Sequence, residues 1–150
     1  SAGGNLAAVT CLRLRADPRV AIRYQVLLQP VVDFTLSFPS IAMPSDECLV
    51  PRADLAWYYR TYCSDQCDPS DPRVSPIYAE NLSGLPPALI IAAEYDTLGD
   101  EAKEYDERLK SAGVATRYIC ADGMVHGFLQ MRGIVPDAQR ATEEIARALN

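Results

Sequence analysis

The sequence has 150 residues, 49% of them hydrophobic and 23% charged, with 14 Lys plus Arg against 20 Asp plus Glu and a formal net charge of −6. Such usage is that of one ordinary globular domain. An acidic chain with no basic block argues against nucleic acid or an anionic membrane surface as partner, and no apolar run approaches the ~18 residues of a membrane-spanning helix.

Gly3 to about Arg15 reads as a helix. Leu6, Val9, Cys11, Leu12 and Leu14 among alanines make it apolar on more than one face, so deep packing is expected. Asp17-Pro18 stops it. Ile22 to Gln29 reads as a strand ended by Pro30, continuously apolar in its second half, as in a sheet covered on both faces. From Asp33 to about Pro87 prolines recur at eight positions, with one helical island from Arg52 to Cys63. So long a stretch without strands is an inserted element or lid. Ala88 to Ala93 is a short buried strand, Asp100 to Ala112 an amphipathic helix stopped by Gly113, and Ala115 to Cys120 a further strand. A loop from Asp122 to Phe128 follows, then a helix from about Pro136 to Leu149. Strands alternating with amphipathic helices mean a parallel α/β sheet. Ligands in such sheets bind beyond the carboxyl ends of the strands.

The five cysteines, Cys11, Cys48, Cys63, Cys67 and Cys120, are an odd number and form no disulfide framework. Buried thiols with one local pair, Cys63 and Cys67, are expected. With a single histidine, the ligands are too few and too dispersed for a metal site. Free thiols make the cytoplasm the default compartment.

Ser1, Asp96 and His126 each fall where a strand end is expected. Ser1 precedes Ala2-Gly3-Gly4 and a helix, like the second half of a nucleophile elbow. Small residues allow the sharp bend, and the helix N-terminus offers free N–H groups to developing negative charge. A serine hydroxyl needs a base, and His126 is the only near-neutral one in the chain. A carboxylate on the far imidazole nitrogen fixes its tautomer, and Asp96 is the candidate. Taken singly, the serine is an ordinary turn residue, the histidine a structural one and the aspartate a helix cap. The combination, in the order Ser, acid, His, outweighs its parts.

These residues lie in longer motifs. Ser1-Ala2-Gly3-Gly4-Asn5-Leu6-Ala7, Asp71-Pro72-Arg73-Val74-Ser75-Pro76, Leu85-Pro86-Pro87-Ala88, Glu94-Tyr95-Asp96-Thr97-Leu98-Gly99-Asp100-Glu101 and His126-Gly127-Phe128 resemble the C-terminal half of the α/β-hydrolases of the hormone-sensitive-lipase group, bacterial carboxylesterases especially. The resemblance covers essentially the whole chain. It implies a mostly parallel sheet flanked by helices, with part of a cap inserted between strands. Residues 1–33 would hold the elbow helix and following strand, 34–87 the cap insertion, and 88–150 the acid and histidine loops. It also implies Ser1 as nucleophile, Asp96 as acid, His126 as base and the Ala2 N–H as an oxyanion donor. A small ester would be the substrate, with no cofactor. Phe34, Leu36, Trp57, Tyr58 and Tyr59 would line the acyl pocket, with packing of the lid as the equal alternative for these aromatics. A dimer through the edge strand near Thr116 to Cys120 is a further implication.

Thr97 and Gly99 depart from the Pro and Arg more usual in the group, and Gly99 is expected to loosen the turn that holds Asp96. The Gly-Asp before the serine, its strand and the upstream His-Gly-Gly-Gly oxyanion loop are not in the sequence. The chain is therefore expected to be a fragment whose partner is the N-terminal half of the hydrolase. Loss of a single oxyanion donor already costs ~10²–10³ in rate. Two other readings stand beside the esterase. One is an inactive half-domain that works only by pairing its sheet edge with another chain. The other, ranked lower because Ser1 runs into a helix, is an N-terminal-nucleophile hydrolase.

Overall fold

The computed structural model describes residues 1–63 and 67–150. Three parallel strands, β1 (Gln25–Leu28), β2 (Ala88–Tyr95) and β3 (Thr116–Val125), pair in the order β1-β2-β3. Gln25 lies opposite Ala88, and Ala88 opposite Thr116. Among the described residues four α-helices accompany them: α1 (Ala2–Leu14), α2 (Arg52–Tyr62), α3 (Gly99–Ser111) and α4 (Pro136–Leu149).

β2 is central, and its first six residues are all buried. Successive side chains alternate between faces, so Ala88, Ile90 and Ala92 meet one core while Leu89, Ile91 and Ala93 meet another. The first core takes Ala8 and Cys11 of α1 and Ala102, Tyr105 and Leu109 of α3. The second takes Ala138 and Ala141 of α4, with Phe128. Each fully buried Leu or Ile of β2 contributes about 1.5–3 kcal/mol of transfer free energy. A third cluster, Val31, Ile41, Leu55, Tyr59 and Leu98, joins the insertion to the segments just beyond β1 and β2.

Several boundaries differ from the sequence reading. β1 begins at Gln25, where its N–H bonds to Pro87 O, because Pro86-Pro87 delays the start of its partner strand. β3 runs on to Val125 through Asp122-Gly123, read from sequence as loop. A register irregularity between Ala93 and Tyr95 accommodates the extra residues, and Gly123 N–H bonds to Glu94 Oε2 at 2.6 Å. α1 is not packed all round: Gly4, Asn5, Ala8 and Cys11 form its buried line, while Leu6 is 54% exposed. Of the cysteines only Cys11 is buried; Cys48, Cys63 and Cys67 are half-buried and Cys120 is exposed. Cys63 and Cys67 do form the local pair, their sulfurs 2.7 Å apart. Burial, followed by the hydrogen bond from Cys67, pushes the Cys63 thiol up to about 11.

The insertion holds no strand among its described residues. It consists of α2 and two 3₁₀ turns, Pro39–Ala42 and Pro76–Tyr78. Asp33, fully buried, anchors its start by accepting from Thr35 and Ser37, through both backbone and hydroxyl. Its middle is tied to the turn after β2. Ser40 Oγ donates to Thr97 O at 2.8 Å, Ser40 N–H to Asp100 Oδ2 at 2.8 Å, and Thr97 Oγ1 to Val50 O at 2.7 Å. The threonine at 97 therefore adds a tie that a proline could not make. Gly99, for its part, opens α3 with its N–H bonded to Asp96 O at 2.9 Å, so the turn is closed.

Candidate active site

Asp96 directly follows β2 and His126 directly follows β3, so two neighbouring parallel strands deliver them to the same edge of the sheet. His126 Nδ1 and Asp96 Oδ2 are 2.8 Å apart. The aspartate is 1% exposed and the imidazole 13%. The Asp96 carboxylate also accepts the Leu98 N–H on Oδ1 at 3.0 Å and the Gln29 side-chain amide on Oδ2 at 3.1 Å. A carboxylate held by three donors is fixed in orientation, as one that must aim an imidazole requires. Gly127, just after the histidine, has φ +78°. This left-handed backbone favours glycine and turns the chain so that Phe128 drops into the core against α4.

Ser1, at the head of α1, is tethered just beyond the carboxyl end of β1. Its carbonyl accepts the N–H of Val31, three residues past that strand, at 3.3 Å, and the N–H of Asn5 at 3.0 Å. Asn5 is buried, and its side-chain amide donates to Val31 O at 2.9 Å and to Val74 O at 2.7 Å. The first turn of α1 is thus pinned both to the segment just beyond β1 and to the insertion. The serine side stands open, and Ala2, at the head of the helix, has its N–H outside the intrahelical ladder.

A cavity of about 570 Å³ opens beside Ser1 and Ala2. Its wall is largely apolar: Leu6 and Val31 on one side, Phe34, Val50, Leu55, Tyr58, Tyr59 and Tyr62 from the insertion, and Leu98 from the turn that carries Asp96. Three expected pocket residues, Phe34, Tyr58 and Tyr59, line it. Phe34 packs on Tyr59 with ring centroids 4.0 Å apart, and on Tyr62 at 5.8 Å. The other two do not line it. Leu36, at φ +57°, faces a neighbouring cavity of about 300 Å³ with Cys63 and Cys67. Trp57 is 57% exposed and packs edge-on against Tyr58, because its helical position turns it away from the strand ends.

Gln29 was not anticipated from the sequence. It closes β1, is 3% exposed, and joins the acid and histidine loops through its side-chain amide. The available signal was a polar residue ending an apolar run at the carboxyl end of a strand.

The α/β hydrolase fold profile matches residues 1–130. Among curated proteins, the carboxylic ester hydrolase LipN of Mycobacterium tuberculosis is 37% identical over 99% of this chain and 41% of its own length. The ethyl acetate hydrolase of Pseudomonas putida is 33% identical over 99% of this chain and 47% of its own. Among solved structures, a hyperthermophilic esterase from the archaeon Pyrobaculum calidifontis superposes with a TM-score of 0.90 at 41% identity, covering 98% of this chain and 49% of that one. The chain spans about half the length of the relatives it matches. With its parallel strands delivering an acid and a histidine to one end of the sheet, the chain belongs to the α/β-hydrolase fold family.

Proposed function

We propose that this chain carries the catalytic triad of a serine carboxylesterase acting on short- to medium-chain esters. The observation that carries the reading is the 2.8 Å contact between His126 Nδ1 and buried Asp96 beyond the carboxyl ends of two neighbouring strands, and it is supported by Ser1, tethered beyond β1 and lining an apolar cavity. Ser1 Oγ attacks the ester carbonyl carbon as His126 Nε2 takes its proton. Asp96 holds the Nδ1–H and stabilises the imidazolium. The Ala2 N–H faces the developing oxyanion. The tetrahedral intermediate collapses, the alcohol leaves with the proton from His126, and water hydrolyses the acyl-enzyme by the same steps. The names of the relatives, carboxylic ester hydrolase and ethyl acetate hydrolase, support this substrate class.

The test is hydrolysis of 4-nitrophenyl acetate, butyrate and octanoate by the purified protein and by Ser1→Ala and His126→Ala variants. Loss of turnover in both, with far-UV circular dichroism unchanged, is expected. Turnover equal to the parent in either folded variant overturns the assignment.

A second reading concerns assembly. Among the described residues β1 and β3 are both edge strands, and an unpaired parallel edge invites another chain. Pairing at β1 would bring in an N-terminal hydrolase half. Pairing at β3, near Thr116 to Cys120, would give a homodimer. Activity appearing only when an N-terminal half is supplied would support complementation, and inactivity in both conditions would favour a non-catalytic half-domain.

A further inference from the structure

We infer that Gln29 is a positioning residue for the Asp96–His126 pair, gripping the histidine loop on both sides of the imidazole while holding the carboxylate that aims it. The inference rests on the triad reading above and deepens it.

The Gln29 side chain makes three contacts, all beyond its own strand. Its Nε2 donates to Asp96 Oδ2 at 3.1 Å and to Val125 O at 3.2 Å, and its Oε1 accepts the Gly127 N–H at 2.7 Å. Val125 and Gly127 are the residues immediately before and after His126. The amide orientation is therefore fixed by its partners: a flipped amide would set N–H against N–H and oxygen against two oxygens. Asp96 Oδ2 is shared between Gln29 Nε2 and His126 Nδ1, so both donors converge on one oxygen.

The backbone points the same way. Gln29 has φ +45°, a left-handed conformation costly for a residue with a side chain. Its N–H still completes the sheet, bonding to Ile91 O at 2.7 Å. The strained turn thus lies at the residue whose side chain spans the ends of all three strands. A glycine would fit that backbone more easily, and only the side chain gives a reason for glutamine. The pocket does not use Gln29, since the cavity beside Ser1 is walled by other residues.

Two variants separate positioning from simple stabilisation. Gln29→Gly relieves the strained φ but also deletes the amide that pairs the Gly127 N–H and Val125 O, so its folded fraction is measured alongside; per folded molecule, kcat is expected to fall at least tenfold while KM stays within twofold. Gln29→Glu keeps the shape and the acceptor for Gly127 but sets a second carboxyl group beside Asp96. On a side chain this buried, in place of an amide 3.1 Å from Asp96 Oδ2, burial and like-charge repulsion keep the new carboxyl protonated near neutral pH, where it still donates to Asp96. Once it ionises, oxygen faces oxygen across the grip, so kcat/KM should gain a fall at alkaline pH that the parent lacks. Folded variants with parent kcat and the parent's pH profile would overturn the inference. A kcat loss in Gln29→Gly matched wholly by lost folded protein, with the parent's pH profile in Gln29→Glu, would reduce Gln29 to a structural residue and equally overturn it. Ser1→Ala and His126→Ala are measured alongside. If those two keep turnover, the triad reading fails. If they lose it while the Gln29 variants behave as the parent, only the inference about Gln29 fails.

Discussion

Gly4 rests directly on Pro30: a Cβ placed on Gly4 would lie 2.8 Å from Pro30 Cβ and 3.0 Å from its Cα. The first turn of α1 can approach the end of β1 this closely only because position 4 has no side chain. Nothing lies within 4 Å of a Cβ on neighbouring Gly3. The two adjacent glycines therefore predict opposite outcomes. Gly4→Ala must push α1 off Pro30, a rigid ring that cannot give way, at a cost of about 1–3 kcal/mol. Since Ser1 hangs from the same turn, the proposed esterase activity should fall by more than the loss of folded protein accounts for. Gly3→Ala should be neutral or slightly stabilising, by up to about 1 kcal/mol. Urea midpoints and kcat of the two variants, side by side, check this, and equal effects at the two positions would contradict it.

Asp96→Asn should separate geometry from charge. The amide can keep an oxygen toward the Leu98 N–H, so the turn survives. Toward His126 the change removes the negative charge that stabilises the imidazolium and admits the wrong tautomer. A loss in kcat on the order of 10⁴ follows if the aspartate acts as the acid of a triad. Steady-state kinetics on 4-nitrophenyl butyrate, with thermal unfolding as a control for folding, measures it. A loss under tenfold would remove Asp96 from that role.

The apolar cavity beside Ser1 makes a prediction about chain length. Val50 lines it with its side chain, while its carbonyl is engaged by Thr97 Oγ1. Val50→Phe leaves that tie intact and fills part of the volume. Each methylene excluded forfeits about 0.8 kcal/mol of burial. The kcat/KM ratio of octanoate to acetate ester should therefore fall by at least tenfold, with acetate little changed. An unaltered ratio would mean the acyl chain lies elsewhere.

Much of this arrangement was legible in the sequence because it is local. The α4 boundaries, Pro136–Leu149, coincide with the apolar periodicity, since Pro136 starts that helix and one face repeats every three or four residues. Asp96 was readable as a strand-end residue because only Glu94 and Tyr95 separate it from the apolar run Ala88 to Ala93, and His126 as a residue of the loop that follows the next strand. What escaped was non-local. The extension of β3 through Asp122-Gly123 depends on Glu94, a residue of the partner strand that bonds to Gly123. Trp57 was grouped with Tyr58 and Tyr59 by proximity in sequence, but a helix turns about 100° per residue, and Trp57 faces away. Gln29 looks like a strand terminator before Pro30 until residues 67 to 98 positions away close around it.

Glu101 gives a prediction in pH. It lies in the first turn of α3, fully buried, with Oε1 accepting the Val32 N–H at 2.7 Å and the Asp33 N–H at 3.1 Å. Among the described residues Oε2 has no partner. Burial drives its carboxyl well above the usual range, and the negative charges of Asp33 and Asp96 add to that, against the lowering effect of the two N–H bonds. A carboxyl that holds its proton more tightly folded than unfolded makes the folded state bind the extra proton. Its contribution is thus complete below the unfolded value of about 4.5 and declines as pH rises from there toward the raised folded value. The slope in that window can reach about 1.4 kcal/mol per pH unit. Glu101→Gln keeps an oxygen for the Val32 and Asp33 N–H groups and carries no proton to lose, so its stability should fall less between pH 5 and pH 8. Glu101→Ala, by contrast, leaves both N–H groups unpaired and should lose about 1–3 kcal/mol for each at every pH. Urea midpoints of the three proteins across that range decide the matter: parallel pH curves for Glu101→Gln and the parent would show that the buried carboxyl does not govern this dependence.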